Sequence, residues 1–98
     1  MKKLAIIIPA YKPRFLQETL DSIAKQNSHE FTVYIGDDAS PYPLKTIVDH
    51  YKNKFDIIYH RFEQNMGKKD LPGHWERCIL LSEEELIWLF SDDDLMPF

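Results

Sequence analysis

This chain is poor in the residues that cross-link a protein or cradle a phosphate. It has one cysteine, Cys78, so no internal disulfide can form, and a reducing compartment fits. Glycine is scarce too: Gly36, Gly67 and Gly73 are the only three, and none falls in a GxGxxG or GxxxxGK pattern. That argues against a nicotinamide-type Rossmann enzyme and against a P-loop NTPase. No apolar stretch is long enough to span a bilayer. The basic start, Met1-Lys2-Lys3, precedes an apolar run too short for a signal h-region, so a cytoplasmic location is the default expectation. Neither sign of charge dominates, and a formal net charge of −4 gives no reason to expect nucleic acid as a partner. His29, His50 and His60 show no metal-ligand spacing. Internal repeats and low-complexity tracts are absent.

What is present is enough apolar material for one core: 44% of the 98 residues. Leu4-Ala5-Ile6-Ile7-Ile8 is a β-branched run of the kind buried on both faces, stopped by Pro9. Leu16, Leu20 and Ile23 recur at helical spacing within a helix expected from about Arg14 to Asn27. Phe31-Thr32-Val33-Tyr34-Ile35 reads as the second strand, followed by a helix over about Pro43 to Asn53. Ile57 to Phe62 is a third, more polar strand, nearer an edge. The third helix is expected over Leu71 to Ser82, with Trp75, Cys78 and Ile79 facing inward. Leu86-Ile87-Trp88-Leu89-Phe90 then reads as a buried strand. Strands that alternate with helices predict an α/β fold, a three-layer α/β/α sandwich with a mainly parallel sheet.

That sheet gathers its polar loops at one edge, where open α/β sheets bind ligands. The last strand runs into Asp92-Asp93-Asp94, which repel one another unless a cation or hydrogen-bond donors offset the charge. Mg²⁺ and Mn²⁺ take oxygen ligands of this kind, while a solvated acidic turn is the plainer reading. Asp37 and Asp38 follow the second strand: they read either as an Asx turn or as acceptors for a ligand N–H or hydroxyl. Tyr11 can stack on a planar ring or pack over the strand ends. Lys12, Arg14, Lys68 and Lys69 can neutralise phosphate, although isolated surface basics are usually just solvated. His74 and Arg77 share a helix face, as an ordinary surface pair or as a phosphate or sugar contact. Cys78 reads as packing.

Four segments in order carry a resemblance: Ile6-Ile7-Ile8-Pro9-Ala10-Tyr11, Gly36-Asp37-Asp38-Ala39-Ser40, Asn65-Met66-Gly67, and Phe90-Ser91-Asp92-Asp93-Asp94 with Pro97. Together they resemble the start of family 2 glycosyltransferases, which have the GT-A fold. The resemblance implies a nucleotide-diphosphate sugar donor, often a UDP-sugar, with Mn²⁺ or Mg²⁺ as cofactor and inversion at the anomeric carbon. It implies that Pro9 and Tyr11 lie beside the nucleotide base and that Asp38 reads the base edge with Asp37 adjacent. Lys68 and Asp92 complete the expected nucleotide-binding set. The acid cluster matches the DxD metal motif, with Asp93 as first choice of ligand, Asp92 second and Asp94 an alternative register. The commonest pattern of that motif has an acid where Phe90 or Ser91 stands here. The catalytic base is expected beyond residue 98, so residues 1–98 read as the donor-binding part, inactive alone, of a longer protein. The acceptor is expected to be a carbohydrate or a lipid-linked molecule, in polysaccharide or glycoconjugate synthesis. Membrane association of the full-length protein, and pairing with a second copy through exposed apolar surface, are left open.

Two rival readings come from the same sheet architecture. A sugar-phosphate nucleotidyltransferase would carry a Gly-rich basic loop after the first strand, where Pro9-Ala10-Tyr11-Lys12-Pro13 stands. A phosphoacceptor receiver domain would carry acids there.

Overall fold

In the computed structural model, which describes residues 4–26 and 30–90, four strands form one parallel sheet in the order β3-β2-β1-β4. The strands are β1 (Leu4–Ala10), β2 (Phe31–Asp37), β3 (Asp56–Arg61) and β4 (Leu86–Leu89). Three helices, α1 (Pro13–Ala24), α2 (Leu44–Asp49) and α3 (Leu71–Ile79), alternate with them. The first two crossovers step from β1 to β2 to β3, and the third returns past β1 to β4. Crossovers of this kind are right-handed, so the reversal moves its helix to the opposite face. α1 and α2 therefore pack on one face, with Ile6, Ile8, Val33 and Ile35 against Leu16, Leu20, Ile23, Leu44 and Val48. α3 packs on the other, where Ala5, Ile7 and Tyr34 meet Cys78. This is the expected three-layer sandwich. The strand order reverses at β1, so the β1 and β4 carboxyl ends form the switch point where such sheets leave room for ligands.

Pro9 acts differently from expectation. β1 continues through it to Ala10, paired with β2 as far as Ala10↔Asp37. Hydrogen-bonding direction alternates along a strand, and the Ile7 carbonyl accepts from the Phe90 N–H of the β4 side at 2.8 Å. The next rung on that side would need a Pro9 N–H donating to the Phe90 carbonyl. Proline has none, so the β1·β4 ladder ends at Ile7↔Leu89 while the β1·β2 ladder runs on.

Other boundaries also move. α1 stops at Ala24, with no apolar residue after Ile23 and Ala24 to hold another turn on the core; Asn27 lies outside the described residues. α2 gives way after Asp49 to turns closed by bonds such as Tyr51 N–H to Val48 O and Lys54 N–H to Tyr51 O. These still bury Tyr51 and Phe55. α3 ends at Ile79, and the Ser82 hydroxyl and N–H close the last turn on the Ile79 carbonyl. Its inward residues are His74 and Cys78, whereas Trp75 is only partly covered.

β3 is an outer strand among the described residues, as its polarity suggested. β4 corrects the expectation of burial. It is an outer strand among the described residues, with Leu86 60%, Ile87 45% and Trp88 42% exposed, and only Phe90 is fully buried. An apolar run records what a strand could bury, not whether a neighbour is there to cover it.

Candidate functional site

β1 and β2 deliver their carboxyl ends side by side, and a bond from Asp38 N–H to the Ala10 carbonyl (2.9 Å) extends the pairing into the loops. The chain then turns sharply. Ala39 adopts φ 54°, a left-handed conformation that a residue with a Cβ takes at some cost. Two contacts hold it there. Asp37 Oδ1 accepts from the Ser40 N–H at 2.9 Å, an Asx-type closure, and the Ser40 hydroxyl donates to the Tyr11 carbonyl at 2.6 Å. Asp37 is fully buried. Its Oδ2 accepts from the Tyr59 hydroxyl and from Arg61 Nη1 (3.1 Å), and Arg61 also binds the Ser40 carbonyl at 2.9 Å. Burial, with the Asp37 carboxylate second, pushes the Tyr59 hydroxyl far above its ordinary range, so it remains a donor. In this geometry Asp37 faces inward and fixes the Tyr11–Ser40 corner.

Asp38 points the other way, toward the loop before α3. Its Oδ1 accepts from the Met66 N–H and from Arg77 Nη2, both at 2.7 Å, and its Oδ2 accepts from the Gly67 N–H at 2.9 Å. Asn65 Nδ2 donates to the Asp38 carbonyl at 3.0 Å, and Asn65 Oδ1 receives the Lys68 N–H at 3.2 Å. Gly67 is required by proximity: a Cβ there would stand 2.6 Å from Asp38 Oδ2. An ionised carboxylate offers roughly four acceptor positions. Among the described residues three are filled, and 6% of the side-chain surface stays exposed.

Arg77 and His74 form the floor of this arrangement, not the surface pair that their spacing suggested. Arg77 Cζ lies over the Phe62 ring at 3.9 Å from its centroid, and Nη2 donates to the Gln64 carbonyl at 3.0 Å. Its Nε donates to His74 Nδ1 at 2.9 Å. His74 is 2% exposed, and burial lowers its pKa below the ordinary 6.5. A neutral ring that accepts at Nδ1 carries its proton on Nε2. The 3.7 Å approach of His74 Nδ1 to Asp38 is therefore not an ion pair; Arg77 bridges the two. Hydrophobic periodicity could not have found this cluster, because its inward residues are polar. The surviving sequence signal is His74-x-x-Arg77 on α3. Burial pushes the Cys78 thiol up to about 12, so it stays protonated and serves as packing.

The structure brings five of the expected site residues to one edge. Pro9 is buried at the end of β1, Asp37 and Asp38 lie beside it, and Lys68 Nζ stands 6.0 Å from the centroid of the Tyr11 ring. Asp92, Asp93 and Asp94 lie outside the described residues, but Phe90, directly after β4, stands at the same edge. Among the described residues no group of three or more His, Cys, Asp or Glu side chains is placed to hold a metal ion.

Residues 5–98 match the family model Glycosyl transferase family 2. The chain belongs to that family. It is 34% identical over 97 residues to the Poly(ribitol-phosphate) beta-N-acetylglucosaminyltransferase TarS of Staphylococcus aureus (strain Mu50), covering 96% of this chain and 16% of that protein. The crystal structure of S. aureus TarS 1–349 in complex with UDP-GlcNAc superposes with a TM-score of 0.79 at 30% identity, over 95% of this chain and 27% of that one. The mannosyltransferase PcManGT from Pyrobaculum calidifontis, in complex with GDP-Man and Mn²⁺, has a TM-score of 0.79 at 19% identity over 98% of this chain and 29% of that one, and shows the fold alone. The chain thus spans less than a third of each relative. The parallel sheet with helices on both faces is the arrangement of these GT-A glycosyltransferases. Family membership leaves the nucleotidyltransferase and receiver-domain readings without support.

Proposed function

We propose that residues 1–98 form the donor-binding part of an inverting glycosyltransferase that takes its sugar from a nucleotide diphosphate, a UDP-sugar first, and passes it to an acceptor hydroxyl. The observation that carries the reading is the pairing of Ala10 with Asp37, together with the Asp38 bonds to Met66 and Gly67, which gathers Pro9, Tyr11, Asp38 and Lys68 at one edge of the sheet. The UDP-GlcNAc bound by the similar TarS fragment supports the choice of nucleotide. A carbohydrate or polyol-phosphate acceptor follows the same relative's name.

Each residue has a chemical task in this reading. The Tyr11 ring supplies a stacking face for the base. The remaining acceptor position of Asp38 takes an N–H of the base edge, an acceptor-only match that discriminates among bases. Lys68, exposed on its loop, offsets diphosphate charge. Asp37 keeps the corner rigid. Asp92, Asp93 and Asp94 are a hard-oxygen donor set that suits Mg²⁺ or Mn²⁺ chemically, and such an ion would stabilise the charge left on the departing nucleoside diphosphate. Deprotonation of the acceptor belongs to a base further along the chain.

Calorimetric titration of the full-length protein with UDP, UDP-sugars and GDP-sugars, with and without Mn²⁺, tests the reading. Metal-dependent binding of a nucleoside diphosphate is expected, and Asp93→Ala should remove the metal dependence. No binding by any nucleoside diphosphate would overturn it.

A further inference from the structure

The cluster beneath Asp38 has no task in the reading above, yet its members are buried and directional. Asp38 reaches its position through donors of two kinds. Met66 and Gly67 offer backbone N–H groups, which follow the loop wherever it goes. Arg77 offers a guanidinium fixed to the rigid helix α3. Arg77 is a long side chain and needs fixing in turn. Phe62 supports its face, Gln64 O takes one N–H, and His74 Nδ1 takes Nε–H. Of these, His74 alone constrains the rotation of the guanidinium from within α3, one turn away from Arg77. The His74 ring is itself held, edge-on to Phe62 at 5.8 Å between centroids, with Nε2 3.7 Å from Cys78 Sγ.

We propose that His74 is a positioning residue for donor recognition: its Nδ1 lone pair orients Arg77, and Arg77 presets the carboxylate of Asp38 for the nucleotide base. The inference rests on the donor-site reading given above. It needs an acceptor at the Nδ1 position and makes no demand on Nε2. That requirement separates it from a role in packing, which any polar residue of similar volume would fill.

Two substitutions of similar polarity discriminate. Asn carries its Oδ1 where His74 carries Nδ1, whereas Gln carries its terminal amide near Nε2. In the full-length protein, His74→Asn should retain most of the parent's affinity for UDP, while His74→Gln should weaken it by about tenfold, the scale of one lost hydrogen bond to a charged group. In turnover the loss should fall on KM for the donor, with kcat and KM for the acceptor little changed. Arg77→Lys should match His74→Gln, because an ammonium cannot span both His74 and Asp38. Equal affinities for the Asn and Gln variants, or a loss confined to kcat or to melting temperature, would overturn the inference and leave the donor site standing. Failure of the parent to bind UDP or any other nucleoside diphosphate would overturn both. If His74→Gln does not fold, Arg77→Lys against His74→Asn carries the same contrast.

Discussion

The two layers that cover the sheet are built from different materials. The α1/α2 layer is an apolar core: Leu16, Leu20, Ile23, Leu44 and Val48 are almost completely buried against Ile6, Ile8, Val33 and Ile35. The α3 layer buries less apolar side chain and inserts His74 beside Cys78, with the Arg77–Asp38 contact at its rim. Apolar packing is non-directional and tolerates small shifts, so it suits the side that only has to hold. A buried hydrogen-bond network fixes atoms to within tenths of an ångström and is costly when incomplete, so it suits the side that has to aim. The difference teaches that stability and recognition are separable here by layer.

The sharpest way to test that division is to damage one layer and read the other. Leu20→Ala removes a fully buried side chain from the α1 layer and should lower the unfolding free energy by about 3 kcal/mol in denaturant melts. Nucleotide affinity of the folded protein should stay within about twofold, because Leu20 takes no part in the hydrogen bonds that hold Asp37 and Asp38. On the α3 side, Gly67→Ala should do the reverse. Its Cβ would sit 2.6 Å from Asp38 Oδ2, so the carboxylate or the loop must move. UDP affinity should fall about tenfold with a stability loss below about 1 kcal/mol. A Gly67→Ala protein that lost stability and kept affinity would erase the division.

The smallest effect is in pH. His74 is the titrating group, and Asp38, Arg77 and Asp37 act on it. Its folded pKa lies below 6.5 chiefly because of burial, so below pH 6.5 the unfolded chain takes up a proton that the folded chain resists. Stability contributed by the neutral ring is therefore present above pH 6.5 and is lost as pH falls toward the folded pKa. Melts across this window should show that slope in the parent and a flatter one in His74→Asn.

Much of this architecture is legible in the residues. β1 and β2 announce themselves through runs rich in β-branched and other apolar residues, and the repeat of strand, polar loop and helix implies parallel pairing and a shared edge. That is why Tyr11 and Asp38, far apart in sequence, could be expected together. What escaped is what depends on neighbours. The Leu86–Phe90 run has the composition of a central strand, but its exposure depends on whether another element adjoins it. His74 was misjudged because polarity predicts the surface, whereas here Arg77, Phe62 and Cys78 supply a polar and aromatic niche that only the fold assembles. Trp75 was placed inward on periodicity, one position out of phase with the face that α3 presents to β1 and β2.

Pro9 has a consequence for the edge where β1 and β4 end. A sheet edge normally zips until its residues run out, and thermal fluctuation or a passing segment can add a rung. At this point in β1 the covalent ring removes the only atom that could make the bond, so the seam beside β4 has a permanent end-stop. Where that ladder stops is thus written into the backbone itself and needs no ligand to impose it.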